Sequence, residues 1–138
     1  MIVLDTSFLL ALLWDGDRGH RQAAGFYSET RDPFTTTPLV LAEVDYMLHS
    51  RATPAASHAF NDEIRAGSLG VEWWRGLEAE AATIADRHAD IGLGLTDASL
   101  VALAGRLETT RIATFDERHF RAAEPLSGGR FQLLPADT

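Results

Sequence analysis

The sequence predicts an α/β fold in which about five short strands form a central parallel sheet with helices on both faces. Short apolar runs alternate with longer helical patterns along the chain, as expected for a parallel sheet. The first run, Ile2–Leu4, is continuously apolar and therefore suits a strand that is buried on both faces. A chain of 138 residues with 46% hydrophobic content fits one domain, which we expect to span residues 1–138.

The first strand is followed by an acidic residue and then by a helix. The apolar stretch from Phe8 to Trp14 predicts that helix, with Thr6 or Ser7 as its N-cap. Asp5 stands between the two elements, at the carboxyl end of the strand, which is where open parallel sheets bind ligands. A simple capping role for Asp5 is the alternative.

The remaining elements are predicted from the spacing of apolar residues and from the residues that begin or end helices. Further strands are predicted at 34–36, 69–72, 111–115 and 131–134, and further helices at 18–30, 38–48, 54–66, 76–90 and 97–106. The helices at 38–48 and 54–66 each begin with Thr-Pro, an N-cap followed by proline at the first helical position. Gly67 and the pair Gly92 and Gly94 mark helix ends.

Two more acids occupy positions comparable to that of Asp5. Asp116 directly follows the predicted strand 111–115, so it should emerge at the same edge of the sheet. Asp97 is predicted as the first residue of a helix that Thr96 caps. A carboxylate there also stabilises the positive end of the helix dipole, which is the alternative reading of Asp97.

Glu43 is the fourth acid of interest. Helical spacing places it between Leu39 and Met47, in the middle of an apolar stripe that we expect to face the core. A carboxylate in such a place is costly unless it is paired or bound to metal. A buried salt bridge to an arginine is the alternative.

These four acids come from separate segments that the predicted topology directs towards one cleft. Ionised carboxylates that share a small site raise one another's pKa, and divalent cations relieve that repulsion. A set of oxygen ligands suits Mg²⁺ or Mn²⁺, and such sites commonly act on phosphodiesters. Asp90, near the glycine break, is interpreted as a surface or loop-capping residue.

Composition excludes several classes of protein. The absence of cysteine rules out disulfides, thiolate zinc sites and cysteine catalysis, and no lysine is present for enzymes that require one. The net charge of −8 argues against simple electrostatic binding of nucleic acid, although bound cations would reverse the sign at the site. The apolar stretch after Asp5 is too short to cross a bilayer, so we expect a cytoplasmic protein with no membrane partner.

Four short motifs occur in a specific order along the chain: Asp5-Thr-Ser, Leu-Ala-Glu43-Val, Thr96-Asp97-Ala and Thr114-Phe-Asp116. Together they resemble the PIN domain, and this resemblance covers the whole chain. The closing Gly128-Gly-Arg-Phe131 and the compact length resemble the VapC ribonucleases of bacterial toxin–antitoxin pairs.

The resemblance implies a Mg²⁺-dependent endoribonuclease, with Mn²⁺ as a substitute, that hydrolyses RNA phosphodiester bonds. Asp5, Glu43, Asp97 and Asp116 would hold the metal and activate water. Ser7 and Thr114 would orient the metal ligands. The implied partners are an RNA substrate, a VapB-like antitoxin and a second copy of the chain.

Two other functions stay open at this point. A phosphotransfer domain, such as a response-regulator receiver or a haloacid-dehalogenase-type phosphatase, also places an aspartate at a strand end, but both use a lysine. A PIN-like module that holds RNA or protein without cutting is the second. Candidate contact residues are Arg18, Arg21 and Arg118 for RNA, and Trp14, Trp73 or Trp74 for an antitoxin helix. The two adjacent tryptophans are otherwise interpreted as core or interface residues.

Overall fold

The computed structural model describes residues 1–138, which form five strands and seven α-helices. The strands are β1 (Ile2–Leu4), β2 (Phe34–Thr36), β3 (Gly70–Val71), β4 (Arg111–Ala113) and β5 (Gln132–Leu134). The helices are α1 (Thr6–Leu13), α2 (His20–Glu29), α3 (Pro38–Arg51), α4 (Pro54–Ala66), α5 (Leu77–Arg87), α6 (Leu95–Arg106) and α7 (Glu117–Ala122). A short 3₁₀ turn, Ala89–Ile91, lies between α5 and α6.

All five strands run parallel in the order β3-β2-β1-β4-β5, which confirms the predicted sheet. β1 lies in the centre and pairs with β2 on one side and β4 on the other. The chain therefore builds the sheet outwards from β1 in one direction, then crosses over to build the other half. The two halves meet between β1 and β4, and a sheet of this order binds ligands in the crevice at that point, beyond the carboxyl ends of the strands.

The core surrounds the central strand. Ile2, Val3 and Leu4 are fully buried, and because successive strand residues point to opposite faces, both faces of the sheet must be covered. Seven consecutive residues of α6, from Ala98 to Ala104, are also buried. A helix buried all round lies in the middle of the molecule, and α6 contacts β1, α3 and α5.

Several predicted element ends are wrong by one to three residues. α1 begins at Thr6, so the N-cap position falls on Asp5 and not on Thr6 or Ser7, yet the Asp5 side chain makes no capping hydrogen bond. α6 begins at Leu95 with Gly94 as its N-cap, so Thr96 is not the cap and Asp97 is the third helical residue. The helix α7 was not predicted, because six residues are too few to display a period.

The orientation of α3 corrects the prediction for Glu43. The buried stripe of this helix is Val40, Val44 and Leu48, whereas Glu43 is exposed. Met47 and Glu43 do share a face, as predicted, but that face borders a cleft rather than the core. The cost of burying an unpaired carboxylate, on which the prediction for Glu43 depended, therefore does not arise.

None of the seven helices is long and apolar enough to cross a membrane.

Candidate active site

A cleft of about 950 Å³ opens at the carboxyl edge of the sheet, and Asp5, Glu43, Asp97 and Asp116 all line it. Asp5 follows β1 and Asp116 follows β4 after two further residues, so these two acids flank the place where the halves of the sheet meet. Asp97 is contributed by the first turn of α6, and Glu43 by the second turn of α3. The structure thus brings all four predicted acids to one cavity.

Two hydroxyl groups hold the carboxylate of Asp5. Ser7 Oγ donates to Asp5 Oδ2 over 2.8 Å, and Thr114 Oγ1 donates to the same oxygen over 2.7 Å. The backbone N–H groups of Phe115 and Asp116 in turn donate to Ser7 Oγ, over 2.9 and 3.2 Å. The turn after β4 is therefore tied to the start of α1 through Ser7, and the carboxylate of Asp5 cannot rotate without breaking this network.

Asp5 is 5% exposed, and its burial raises its pKa to about 6. The negative charge of Asp97 acts in the same direction, while the hydrogen bonds from Thr114 and Ser7 and from the Thr6 backbone favour the ionised form and limit the rise. The increase reflects removal of a charge from water beside a second negative charge. A nearby cation would reverse this effect.

Asp97 is half-buried and has a partner that the sequence analysis missed. His119 Nδ1 lies 2.9 Å from Asp97 Oδ2. Burial raises the pKa of Asp97, the hydrogen bond and charge of His119 lower it, and the charges of Glu43 and Asp116 raise it. His119 is the third residue of α7, so the turn that presents Asp116 also brings the imidazole to Asp97.

Glu43 and Asp116 are both exposed to the solvent of the cleft. No three of the carboxylate and histidine side chains are grouped closely enough to form a ready-made metal site. The four acids therefore share a cavity but stand apart within it.

The cleft also contains two arginines, Arg18 and Arg51. Arg18 was a predicted RNA contact, whereas the other two candidates, Arg21 and Arg118, do not line the cavity. Arg51 was missed, although it lies eight residues after Glu43 and therefore on the same face of α3. The spacing of Glu43, Met47 and Arg51 was the available signal.

Asp90 and the three tryptophans considered in the sequence analysis lie outside the cleft. Asp90 is exposed in the 3₁₀ turn, which agrees with its interpretation as a surface residue. Trp74 is half-buried, its Nε1 donates to Glu80, and the Arg106 guanidinium lies 4.5 Å from its ring centroid. Trp73 is exposed, and Trp14 is half-buried against the core. None of the three tryptophans lines the cleft.

Comparisons with known proteins match the sequence and the fold over most of the chain. The family model for the PIN domain matches residues 2–125. Ribonuclease VapC26 of Mycobacterium tuberculosis (strain ATCC 25618 / H37Rv) is 34% identical over 135 residues, which are 97% of this chain and 100% of that protein. Among solved structures, the crystal structure of Mycobacterium tuberculosis VapC20, described as a sarcin–ricin loop-cleaving toxin, has a TM-score of 0.79 at 27% identity. The match covers 88% of this chain and 95% of that one.

Two more distant structures share the fold. A toxin–antitoxin complex from Klebsiella pneumoniae has a TM-score of 0.62 at 16% identity, and the match covers 87% of this chain and 90% of that chain. FitAcB from Neisseria gonorrhoeae has a TM-score of 0.60 at 19% identity, with 96% and 97% covered. Because the family model matches most of the chain and VapC26 is similar over its whole length, the chain belongs to the PIN-domain family, in its VapC branch.

Proposed function

We propose that this protein is a Mg²⁺-dependent endoribonuclease, the toxin of a toxin–antitoxin pair. The observation that carries the proposal is the convergence of Asp5, Glu43, Asp97 and Asp116 on one cleft at the edge of the sheet where ligands are expected. The name of the relative VapC26, a ribonuclease, supports the same reaction.

The donor set fits a hard divalent cation. The four acids supply only oxygen ligands, which suit Mg²⁺ or Mn²⁺. The pKa values of Asp5 and Asp97 are raised chiefly by burial and further by neighbouring carboxylates, and a bound cation would oppose both effects. Asp5, Glu43, Asp97 and Asp116 would hold the ion, and the exposed Glu43 and Asp116 have room to move towards it. When bound, such an ion supplies positive charge to the phosphate and makes water more acidic.

The protein's own groups have separable roles in this proposal. Ser7 and Thr114 keep one oxygen of Asp5 fixed by donating two hydrogen bonds to it. His119, in α7, fixes the carboxylate of Asp97 through a hydrogen bond to one of its oxygens. Fixed orientation matters because a small displacement of a reacting group or ligand lowers the rate steeply.

Three nearly isosteric substitutions test the site directly. We expect Asp5→Asn, Asp97→Asn and Asp116→Asn each to abolish RNA cleavage, because each removes one anionic ligand and leaves the shape unchanged. Asp90→Asn is the matched control, since Asp90 is an exposed acid outside the cleft. Cleavage is followed on labelled RNA at saturating Mg²⁺, and circular dichroism reports the fold.

Near wild-type cleavage by two of these three variants would contradict the proposed site. RNA binding by a wild-type protein that never cuts, over a full Mg²⁺ and Mn²⁺ titration, would instead favour the non-cleaving module.

The first substrate to test is ribosomal RNA, because VapC20 is described as cleaving the sarcin–ricin loop and is 27% identical to this chain. RNA ends are mapped in cells after induction of the wild-type protein and of Asp116→Asn. A cut in the sarcin–ricin loop that only the wild type produces would assign that loop as substrate. Ends that map to transfer or messenger RNA would keep the ribonuclease and change its target.

The proposed antitoxin is a separate protein that inserts an amphipathic helix into an apolar groove. A cavity of about 260 Å³ between α1, α2 and α4 has this character, and its lining is apolar apart from Glu63. The apolar lining residues are Leu9, Leu12, Leu13, Tyr27, Ala59 and Leu69. Co-expression with the adjacent upstream reading frame tests the idea: binding and loss of toxicity support it, whereas a protein that is harmless when induced alone contradicts the toxin assignment.

We also propose a homodimer, because pairing two acidic chains would line up arginines from both copies along one RNA. The scattering mass at tens of micromolar protein measures the assembly directly. A mass of one subunit contradicts the dimer without affecting the proposed reaction.

A further inference from the structure

Two guanidinium groups line the acidic cleft without pairing to any of its carboxylates. Arg18 and Arg51 are both exposed, and neither forms an ion pair or a side-chain hydrogen bond within the protein. Some arginines outside the cleft are paired, such as Arg65 with Asp62 and Arg111 with Asp32, and others, such as Arg21 and Arg118, are not. Arg18 and Arg51 differ from all of these in their position, because their unpaired guanidinium groups line the cleft that the four acids share.

The segment that carries Arg18 is held firmly in place. Asp17 Oδ1 accepts a hydrogen bond from the backbone N–H of Gly19 over 2.8 Å. His20 Nδ1 lies 2.7 Å from the carbonyl oxygen of Ala11. Gly19 packs so closely on Phe115 that a β-carbon at residue 19 would lie 3.2 Å from its ring. The backbone at Arg18 is therefore fixed relative to the turn that bears Thr114 and Asp116.

Arg51 comes from a different part of the fold. It is the last residue of α3, where the negative end of the helix dipole favours a cation. Glu43 and Met47 lie on the same face of that helix, and all three line the cleft. The two arginines therefore reach the cavity from separate segments, one in the loop before α2 and the other at the end of α3.

We propose that Arg18 and Arg51 bind RNA phosphates that neighbour the phosphate that is cut. This inference rests on the proposed ribonuclease function and assigns the contacts by which an acidic protein holds its substrate. A strand that enters the cleft brings one negative charge per nucleotide, and the cut phosphate would be neutralised by the ion that the four acids would hold. The neighbouring phosphates need cations of their own, and an unpaired guanidinium offers a fork of donors that matches phosphate geometry.

The geometry also separates these two residues from other arginines near the site. Arg21 and Arg118 are exposed and close in sequence to cleft residues, but they do not line the cavity. They are therefore matched controls for charge and exposure.

The test measures RNA binding as a function of salt in an Asp116→Asn background, which keeps the probe intact. The probes are a fluorescein-labelled hairpin with the sarcin–ricin loop sequence and an unstructured RNA of equal length, at a fixed Mg²⁺ concentration. Each phosphate contact to a single strand contributes about 0.7 to the slope of log affinity against log salt. We expect Arg18→Ala and Arg51→Ala each to lower that slope by about 0.7. Each should also lower the affinity for the two RNAs by the same factor.

The control variants Arg21→Ala and Arg118→Ala should keep the wild-type slope. Arg18→Lys and Arg51→Lys should also keep it, because they retain the charge, but their affinity should fall through loss of the planar fork. In the otherwise wild-type enzyme, the alanine variants should raise KM more than they lower kcat.

Unchanged slopes in both alanine variants, with a wild-type protein that cuts RNA, would overturn this inference and leave the proposed function standing. Equal losses in the control variants would also overturn it, because the effect would then be one of net charge. Weakened binding of the antitoxin with unchanged RNA binding would assign the arginines to that protein instead. A wild-type protein that neither binds nor cuts RNA would overturn the proposed function as well.

Discussion

His119 and Asp97 illustrate how one contact can tune a candidate ligand. The imidazole opposes the rise in the pKa of Asp97 that burial causes. We expect His119→Ala to lower the cleavage rate by roughly 10- to 100-fold, in the range for loss of a group that orients a metal ligand. The acid limb of the pH–rate profile should move to higher pH, because Asp97 would then hold its proton more tightly.

His119→Asn is the informative companion variant. Its amide nitrogen can occupy a position near Nδ1 and donate to Asp97, so it should recover much of the activity and of the wild-type pH profile. The measurement is kcat/KM as a function of pH for the wild type, His119→Ala and His119→Asn, and it tests whether His119 positions Asp97. Full activity of His119→Ala with an unshifted profile would show that the imidazole has no part in positioning Asp97.

Residue patterns predicted the candidate site unevenly, for physical reasons. Asp5 and Asp116 were found because an apolar strand followed by an acid is a local pattern, and parallel topology brings such positions to one edge. His119 was missed because a histidine in a six-residue polar helix produces no periodic signal. Arg51 was missed because its relation to Glu43 becomes apparent only when the face of α3 that borders the cleft is known.

At the scale of elements, α4 is expected to contribute to stability and not to the reaction. Thr53 Oγ1 accepts a hydrogen bond from the backbone N–H of Ala56 at the start of this helix, and no residue of α4 lines the cleft. Thr53→Ala should therefore cost about 1 kcal/mol of unfolding free energy. The melting temperature should fall by roughly 3 °C, while kcat/KM at 25 °C stays at the wild-type value. A loss of cleavage at that temperature would show that α4 influences the site.

The positions of α3 and α4 in the sequence were easier to predict than the side of α3 that faces the core. The two Thr-Pro starts placed α3 and α4 correctly, because proline at the first helical position is a local signal, although only Thr53 makes a side-chain capping hydrogen bond. The core-facing side of α3 was wrong, because Leu39 and Met47 suggested burial while the real core stripe is Val40, Val44 and Leu48. Apolar side chains can border a cleft as well as a core, so periodicity alone did not distinguish the two faces.

For the whole molecule, the acids predict an unusual dependence of stability on pH when no metal is present. Asp5 has a pKa of about 6 in the folded protein and about 4 when unfolded, so the folded state binds more protons between these values. The unfolding free energy should therefore fall by about 3 kcal/mol as pH rises through that window. Asp97, whose pKa is also raised, acts in the same direction.

Asp137 has the opposite effect at lower pH. Arg121 lowers its pKa to about 2, so the stability that its ionised form contributes is lost as pH falls from about 4 to about 2. Metal-free protein should thus be most stable at about pH 4. Urea unfolding in EDTA measures this, and Asp5→Asn should flatten the decline between about pH 4 and pH 6. Greater stability of the wild type at pH 7.5 than at pH 4.5 would contradict the prediction.

Divalent metal should restore what is lost at neutral pH. Binding to the folded state alone adds about 2.7 kcal/mol at a metal concentration one hundred times Kd. The gain should be larger at pH 7.5 than at pH 4.5, where protonated acids no longer need a cation. The melting temperature is measured with EDTA and with millimolar Mn²⁺ at each pH. If Mn²⁺ leaves the melting temperature unchanged at both pH values, the result would count against a metal site.

The bond between Thr114 and Asp5 joins residues that are 109 positions apart, and β4 is inserted beside the first strand of the chain. During translation, Asp5 is made more than one hundred residues before Thr114 and Asp116. A growing chain therefore lacks a complete site until β4 and the turn after it have been made and folded into the sheet. For a protein proposed to cut RNA, the fold itself delays activity until that segment is in place, so a chain that stops short of β4 would leave the ribosome that makes it unharmed.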